Sequence, residues 1–169
     1  MIRSYIYNEE GTILEIDEQM NGLPFFRKMT TDSGELKICR MIKERPHPNI
    51  VNILRIGPDF VDMELVEPCH RLESYNEMNV CQDMARAMTH LREMDILYID
   101  WKYDNVGRSK DGQYKLFDFD LSGIYDRMRR KWIKEPPHYY AYTNAEKYYT
   151  DPIMIDNYAF YCGLINHSE

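Results

Sequence analysis

Two aspartates, an asparagine and a lysine share the stretch Tyr98–Gly123, YIDWKYDNVGRSKDGQYKLFDFDLSG. Lys102 stands two residues after Asp100, and Asn105 three residues after that. Asp118 comes thirteen residues beyond Asn105, after the Tyr114–Phe117 run. Phosphoryl transfer can use such a set. It asks for little covalent chemistry from the protein. It needs a residue that orients the attacking hydroxyl, and oxygen ligands that hold Mg²⁺ against the phosphates. An aspartate and an asparagine framing one loop, with a second aspartate at a strand end, are those parts.

The elements around them follow from local pattern. Arg3–Tyr7, Thr12–Asp17 and Pro24–Met29 are short β-rich runs separated by the turn-like NEEG and EQMNG, so the chain opens as an antiparallel meander. TTDSG then leads into ELKICRMIKER, a helix of about three turns with Asp32 as its cap and Glu35 three residues later. HPNIVNILRIG and DFVDMELVEP read as two further strands, which makes five strands and one helix in the first part. Asn79–Met94 carries Val80, Met84, Ala87, Met88 and Leu91 at helical spacing. Gln113–Phe117 reads as a strand. Ser122–Tyr149, which includes Pro136–Pro137, reads as largely irregular, and a last apolar helix falls near Asp156–Asn166. The fold class is α+β.

In this order the segments resemble the eukaryotic-type protein kinases. Tyr98-Ile99-Asp100-Trp101-Lys102-Tyr103-Asp104-Asn105 resembles that family's His-Arg-Asp-Leu-Lys-x-x-Asn catalytic loop, and Asp118-Phe119-Asp120 its Asp-Phe-Gly. His47–Val51 resembles the His-Pro-Asn-Ile-Val that follows the regulatory helix. Met63–Val66 resembles the gatekeeper and hinge, and Asp156–Ile165 the central helix of the large lobe. The resemblance implies a two-lobe fold: a small five-stranded lobe with one helix over residues 1–67, and a mostly helical lobe over 68–169 that stops short of the family's last helices.

It also implies roles. Asp100 would orient the acceptor hydroxyl and Lys102 would steady the moving phosphoryl group. Asn105 and Asp118 would ligate Mg²⁺ or Mn²⁺. Lys28 would contact the ATP phosphates, Glu35 would pair with it, and Glu64 and Val66 would bond adenine through their backbone. Asp156 would brace the catalytic loop from below. The activity implied is ATP-dependent phosphotransfer to Ser or Thr hydroxyls, since Lys102 is usually missing from the family's tyrosine kinases.

Several residues depart from the family. The turn Asn8–Gly11 is acidic and lacks the glycine-rich loop. Ile99 replaces an arginine, so an activation loop needs no phosphate here to be read. Asp120 replaces a glycine, as a further metal ligand or simply as a solvated acid. Lys28 also reads as one more solvated charge. Glu35 is equally a capping-box residue, with Glu44 as the alternative partner of Lys28. Ala145–Glu146 is a trace of Ala-Pro-Glu. Asp126–Lys134 packs five basic residues into an acidic chain, read as a solvated loop or as a docking site for an acidic or phosphorylated substrate.

Bulk properties narrow the classes. The chain has 169 residues, 44% apolar and 29% charged, as in an ordinary globular protein. A net charge of -7 argues against nucleic acid or anionic membrane as a partner. No run is long enough to span a membrane, and Met1–Gly11 has no secretion-signal stretch. Cys39, Cys69, Cys81 and Cys162 are scattered and read as reduced thiols. The location implied is cytoplasmic, host cytoplasm if the source is viral. An apolar last helix without covering helices implies a homodimer or another partner. Beside the kinase reading stand a silent kinase-like module that regulates a partner kinase, and a small-molecule phosphotransferase of the aminoglycoside-kinase type. The fourth is a purely structural domain.

Overall fold

The computed structural model describes residues 4–7, 13–16, 24–138 and 140–166. Strands β1 (Ser4–Tyr7), β2 (Ile13–Ile16) and β3 (Pro24–Met29) precede helix α1 (Ser33–Glu44), then β4 (Ile53–Ile56) and β5 (Phe60–Glu64). They form one antiparallel sheet in the order β1-β2-β3-β5-β4. Alternation along β3 sends neighbouring cations to opposite faces. Arg27 forks onto the fully buried Asp62 at 2.7 and 2.9 Å, while Lys28 turns towards α1. Arg55 joins Asp62 at 2.7 Å, so two guanidiniums compensate the desolvation of that carboxylate.

Helix α1 starts because the Asp32 carboxylate accepts the N–H groups of Gly34 (2.7 Å) and Glu35 (3.1 Å). A cap of this kind is worth about 1 kcal/mol. Leu36, Ile38, Cys39 and Ile42 form its buried face. The Asp32 N–H donates to Thr30 Oγ1, so the capping bond comes from Thr30 and the Glu35 side chain is turned inward instead.

The second part holds β6 (Glu67–Pro68), a 3₁₀ turn at Cys69–Arg71, helix α2 (Glu77–Glu93), β7 (Ile96–Leu97) and a 3₁₀ turn at Tyr103–Asn105. Then follow β8 (Val106–Arg108), β9 (Tyr114–Leu116), β10 (Gly123–Asp126), β11 (Lys131–Lys134), α3 (Tyr140–Glu146) and α4 (Pro152–Phe160), which runs into a π turn, Tyr161–Ile165. Two three-stranded sheets, β11-β10-β7 and β6-β8-β9, run among these helices. The region expected to be mostly helical is therefore mixed.

The largest correction is Ser122–Tyr149. It is a paired hairpin, β10–β11, followed by a short helix. The basic run Asp126–Lys134 is the exposed turn and second strand of that hairpin. Asp126 shapes the turn by accepting the N–H groups of Met128 (3.0 Å) and Arg129 (2.9 Å). Trp132 packs on Tyr125 at 5.2 Å between ring centres. The last helix differs too. Ile155, Ala159, Phe160 and Leu164 are buried, while Met154, Tyr161 and Ile165 face outward, so it is covered on one side.

The two parts are stitched together at Asn49–Val51. Val51 N–H donates to Leu116 O (3.0 Å), Leu116 N–H to Asn49 O (2.9 Å), and the Asn49 amide to Tyr114 O (3.0 Å). One apolar cluster runs from Leu36 and Ile38 through Ile50, Val51 and Leu116 to Val80, Met84 and Phe160. A smaller cluster gathers Leu97, Ile99, Tyr125, Tyr142, Ala145 and Ile155. All four cysteines are free thiols, with Cys39 and Cys69 buried. Burial pushes the Cys39 thiol up to about 12 and the Cys69 thiol up to about 11. Among the described residues no helix is long and apolar enough to cross a membrane.

Candidate functional site

Lys28 is the centre of the arrangement. Its Nζ lies 2.7 Å from Glu35 Oε1, 2.5 Å from Asp118 Oδ1 and 3.5 Å from Asp120 Oδ2. Strand β3 supplies the lysine, the first turn of α1 supplies Glu35, and the segment after β9 supplies both aspartates. Burial alone would lower the Lys28 ammonium. The Asp118 and Glu35 carboxylates outweigh it and hold the group charged, well above its ordinary value. Glu44, the other candidate partner, is exposed at the end of α1. The acidic turn Asn8–Gly11 lies outside the described residues.

The second knot is around Asp100, which is buried. Asn105 Nδ2 donates to Asp100 Oδ2 (2.8 Å) and to its carbonyl (3.0 Å), and Lys102 Nζ lies 3.0 Å from Asp100 Oδ2. Asn105 is tied to the Asp118 segment by Phe117 N–H donating to Asn105 O at 3.0 Å. A cleft of about 690 Å³ is lined by Asn105 and Asp118 together with Phe26, Leu65, Val66 and Phe117. A narrower apolar recess beside it, about 80 Å³, is lined by Phe26, Val51, Met63, Leu65, Val66 and Phe117. Val66 thus faces the cleft. The Glu64 carboxylate turns elsewhere, to Lys115 Nζ (2.6 Å) and to Asn52 N–H (2.7 Å).

The backbone beneath Asp100 is strained. Ile99 has φ 68° and Asp118 has φ 64°, both in the left-handed region, which aspartate tolerates but a β-branched side chain rarely occupies. Asp100 N–H donates to Tyr98 O (2.9 Å) across Ile99, a classic-type γ-turn, which is uncommon and costs about 1–3 kcal/mol. Three contacts hold it. Ile99 N–H donates to Asp156 Oδ1 (2.9 Å), the Trp101 indole N–H donates to the same oxygen (2.7 Å), and the Ile99 side chain is buried in the smaller cluster. Burial raises the Asp156 carboxyl, while Arg92 at 3.1 Å opposes that shift. Asp156 therefore braces the loop as the sequence implied. Arg92, Trp101 and the Tyr98 hydroxyl on Phe117 O (2.6 Å) are supports that the sequence reading missed. A buried acid on a late helix calls for a cation. Arg92, on the polar side of α2, was the available signal.

No protein-family model matches the chain. Curated proteins similar to part of it include two kinases. One is serine/threonine-protein kinase MST20 of Pyricularia oryzae, 28% identical over 103 residues, covering 54% of this chain and 11% of that protein. The other is serine/threonine-protein kinase kin-29 of Caenorhabditis briggsae, 31% identical over 121 residues, covering 62% of this chain and 14% of that protein. The chain thus spans a small fraction of the relatives it matches, and its α+β architecture accords with a kinase-like relationship.

Proposed function

We propose that the protein is a kinase-like phosphotransferase of two lobes, residues 1–67 and 68–169, moving the γ-phosphoryl group of ATP to a Ser or Thr hydroxyl. The observation that carries this reading is the meeting of Lys28, Glu35 and Asp118 from three separate elements, with Asp118 and Asn105 lining one cleft. Structural acids on a surface have no reason to meet in this way.

The donor set fits Mg²⁺ or Mn²⁺. Among the described residues no three His, Cys, Asp or Glu side chains form a metal cage. Magnesium favours such a place, since it usually takes one or two carboxylates and completes its shell with water and phosphate oxygens. The Asp118 carboxylate and the Asn105 amide oxygen would hold it, and the bound ion would neutralise charge on the phosphates. The apolar recess by Val66 suits a flat base, with the backbone of Glu64 and Val66 at its edge. Lys28, positioned by Glu35, would meet the phosphates. Asp100 would accept the hydroxyl proton as the acceptor oxygen bonds to phosphorus and ADP leaves. Lys102 would neutralise the transferred group, and Asn105 holds Asp100 in place.

The test compares the wild type with Asp118→Asn in ATP-dependent labelling of a protein substrate with Mg²⁺ or Mn²⁺. Transfer that disappears in the variant supports the reading. The absence of both transfer and stabilisation by Mg–ATP would sink it. A silent kinase-like module that binds a partner kinase is the second reading, favoured by the engagement of Lys28 with three carboxylates. Nucleotide-dependent stabilisation without transfer would select it.

A further inference from the structure

Hairpin β10–β11 carries the densest run of cations in the sequence of an acidic chain. Asp126–Lys134 carries five cations against one carboxylate, a local +4 where the total is -7 and the remainder therefore -11. The cations are displayed in different ways. Lys134 Nζ is tied back to Ser122 O at 2.9 Å, and Arg127 pairs with Asp95 at 2.8 Å. Arg129 is only loosely matched to Asp126, at 3.6 Å, and is 73% exposed. Arg130 and Lys131 are exposed at the turn and form no ion pair with the described residues. Met128 beside them is 94% exposed. Arg130 has φ 53°, so the turn holds a left-handed residue without glycine.

The hairpin is stiff at its base and attached to the candidate site. Gly123 and Ile124 pair with β7, and Trp132 packs on Tyr125. Strand β10 begins five residues after Asp118. A strand of four residues spans about 13 Å, the length that separates the cationic tip from the base of the hairpin. The turn contains no Ser, Thr or Tyr, so its charge cannot be altered by phosphorylation of its own residues.

We propose that this tip is a docking site for an acidic segment of the substrate protein, with Arg129, Arg130 and Lys131 meeting its carboxylates and Met128 adding an apolar contact. The proposal rests on the phosphotransfer reading for its purpose, though not for its chemistry. Charge complementarity selects the partner. A short acidic peptide can lie on the cationic tip of Arg129, Arg130 and Lys131 alone. A long polyanion or an anionic bilayer would also meet the -11 of the rest of the protein, which repels it.

The experiment measures binding of two labelled peptides by fluorescence anisotropy, one rich in Glu and Asp, the other with Lys at the same positions. The protein is the full chain and its Arg129→Glu/Arg130→Glu/Lys131→Glu variant, whose exposed changes leave the core alone. The wild type should bind the acidic peptide at least tenfold more tightly than the basic one, with affinity falling as salt rises. The variant should lose at least tenfold for the acidic peptide. Lys131→Ala alone should lose less, in the same direction, which guards against a misfolded triple variant. Equal affinities for the two peptides, or a preference that survives charge reversal, would overturn the proposal. So would tighter binding to a single-stranded oligonucleotide or to phosphatidylserine vesicles. Stabilisation by Mg–ATP is read on the same samples. Its absence sinks the phosphotransfer reading, and the peptide results then still decide docking.

Discussion

At Lys28 one ammonium faces three carboxylates, and they are not equivalent. Glu35 is nearly inaccessible, with a side chain 3% exposed, and Lys28 at 2.7 Å compensates its loss of water. Asp118 and Asp120 are partly open to water and are repelled by each other. Burial, and next the Asp118 charge, raise the Asp120 carboxyl above its ordinary 3.8, with Lys28 opposing only in part. A raised carboxyl gives up its proton in the unfolded chain before it does so in the folded one. The unfolded state therefore binds fewer protons across the window that opens at 3.8 and extends upward, and stability falls as pH rises through it. Asp120→Asn removes this penalty. The variant should melt higher than the wild type at pH 7, and the gain should shrink towards zero as pH falls to about 4. Screening at this half-exposed group limits the gain to about 0.5 kcal/mol, roughly 1–2 °C for a domain of this size. Scanning calorimetry at both pH values measures it. A variant that melts lower at pH 7 would show that Asp120 is held mainly by Lys28.

Among the elements, the π turn after α4 has the least freedom. A Cβ placed on Gly163 would lie 1.7 Å from Trp101 O, inside the van der Waals contact of a backbone atom that cannot rotate away. Gly163→Ala should therefore push α4 off the Tyr98–Asn105 loop, weaken the Asp156 bonds to Ile99 and Trp101, and cost about 3 kcal/mol. Chemical denaturation reads this directly, and a change below about 0.5 kcal/mol, the range of an ordinary surface substitution, would contradict it. The same loop shows what a sequence can and cannot carry. Helices α1 and α2 were legible from their periods and caps, and strands β1–β5 from short apolar runs between turns. The Asp100–Asp118 part of the candidate site was legible because its polar residues fall at fixed spacings within one chain segment, whereas Lys28 and Glu35 lie far from it in sequence and came only from the family resemblance. Hairpin β10–β11 was not legible. Its turn has no Gly or Asn-Gly to mark it, only Arg130 held left-handed, and a run of cations resembles a solvated loop. The approach of Asp120 to Lys28 was also hidden, since nothing in a one-dimensional pattern brings residues 28 and 120 within 3.5 Å.

On the scale of the whole molecule, the question is whether residues 1–67 and 68–169 are separate folding units. The residues proposed for the chemistry are divided, with Lys28 and Glu35 on one side and Asp100, Asn105 and Asp118 on the other. The packing of the two parts is not. The main apolar cluster contains Ile38, Ile42 and Met63 from the first part and Cys69, Val80, Met84 and Leu116 from the second. The Asn49–Val51 bridge to β9 crosses between them with backbone bonds, and Lys28–Asp118 crosses the cleft. Separating the parts would expose that shared core and leave Asn49, buried on Tyr114 O, without its partner. Unfolding should therefore be a single transition. At about 0.7 kcal/mol per residue near 60 °C, one transition of the 169-residue chain corresponds to an enthalpy of about 120 kcal/mol, whereas the second part unfolding alone would give about 70. Calorimetric and van't Hoff enthalpies that agree near the larger value would establish one cooperative unit. Two resolved transitions, or a van't Hoff enthalpy close to the smaller value, would show that the bridge at Asn49–Val51 is too weak to couple the halves. On the proposed phosphotransfer reading, Mg–ATP held between the two parts would then supply the coupling, and adding it should merge the two transitions into one.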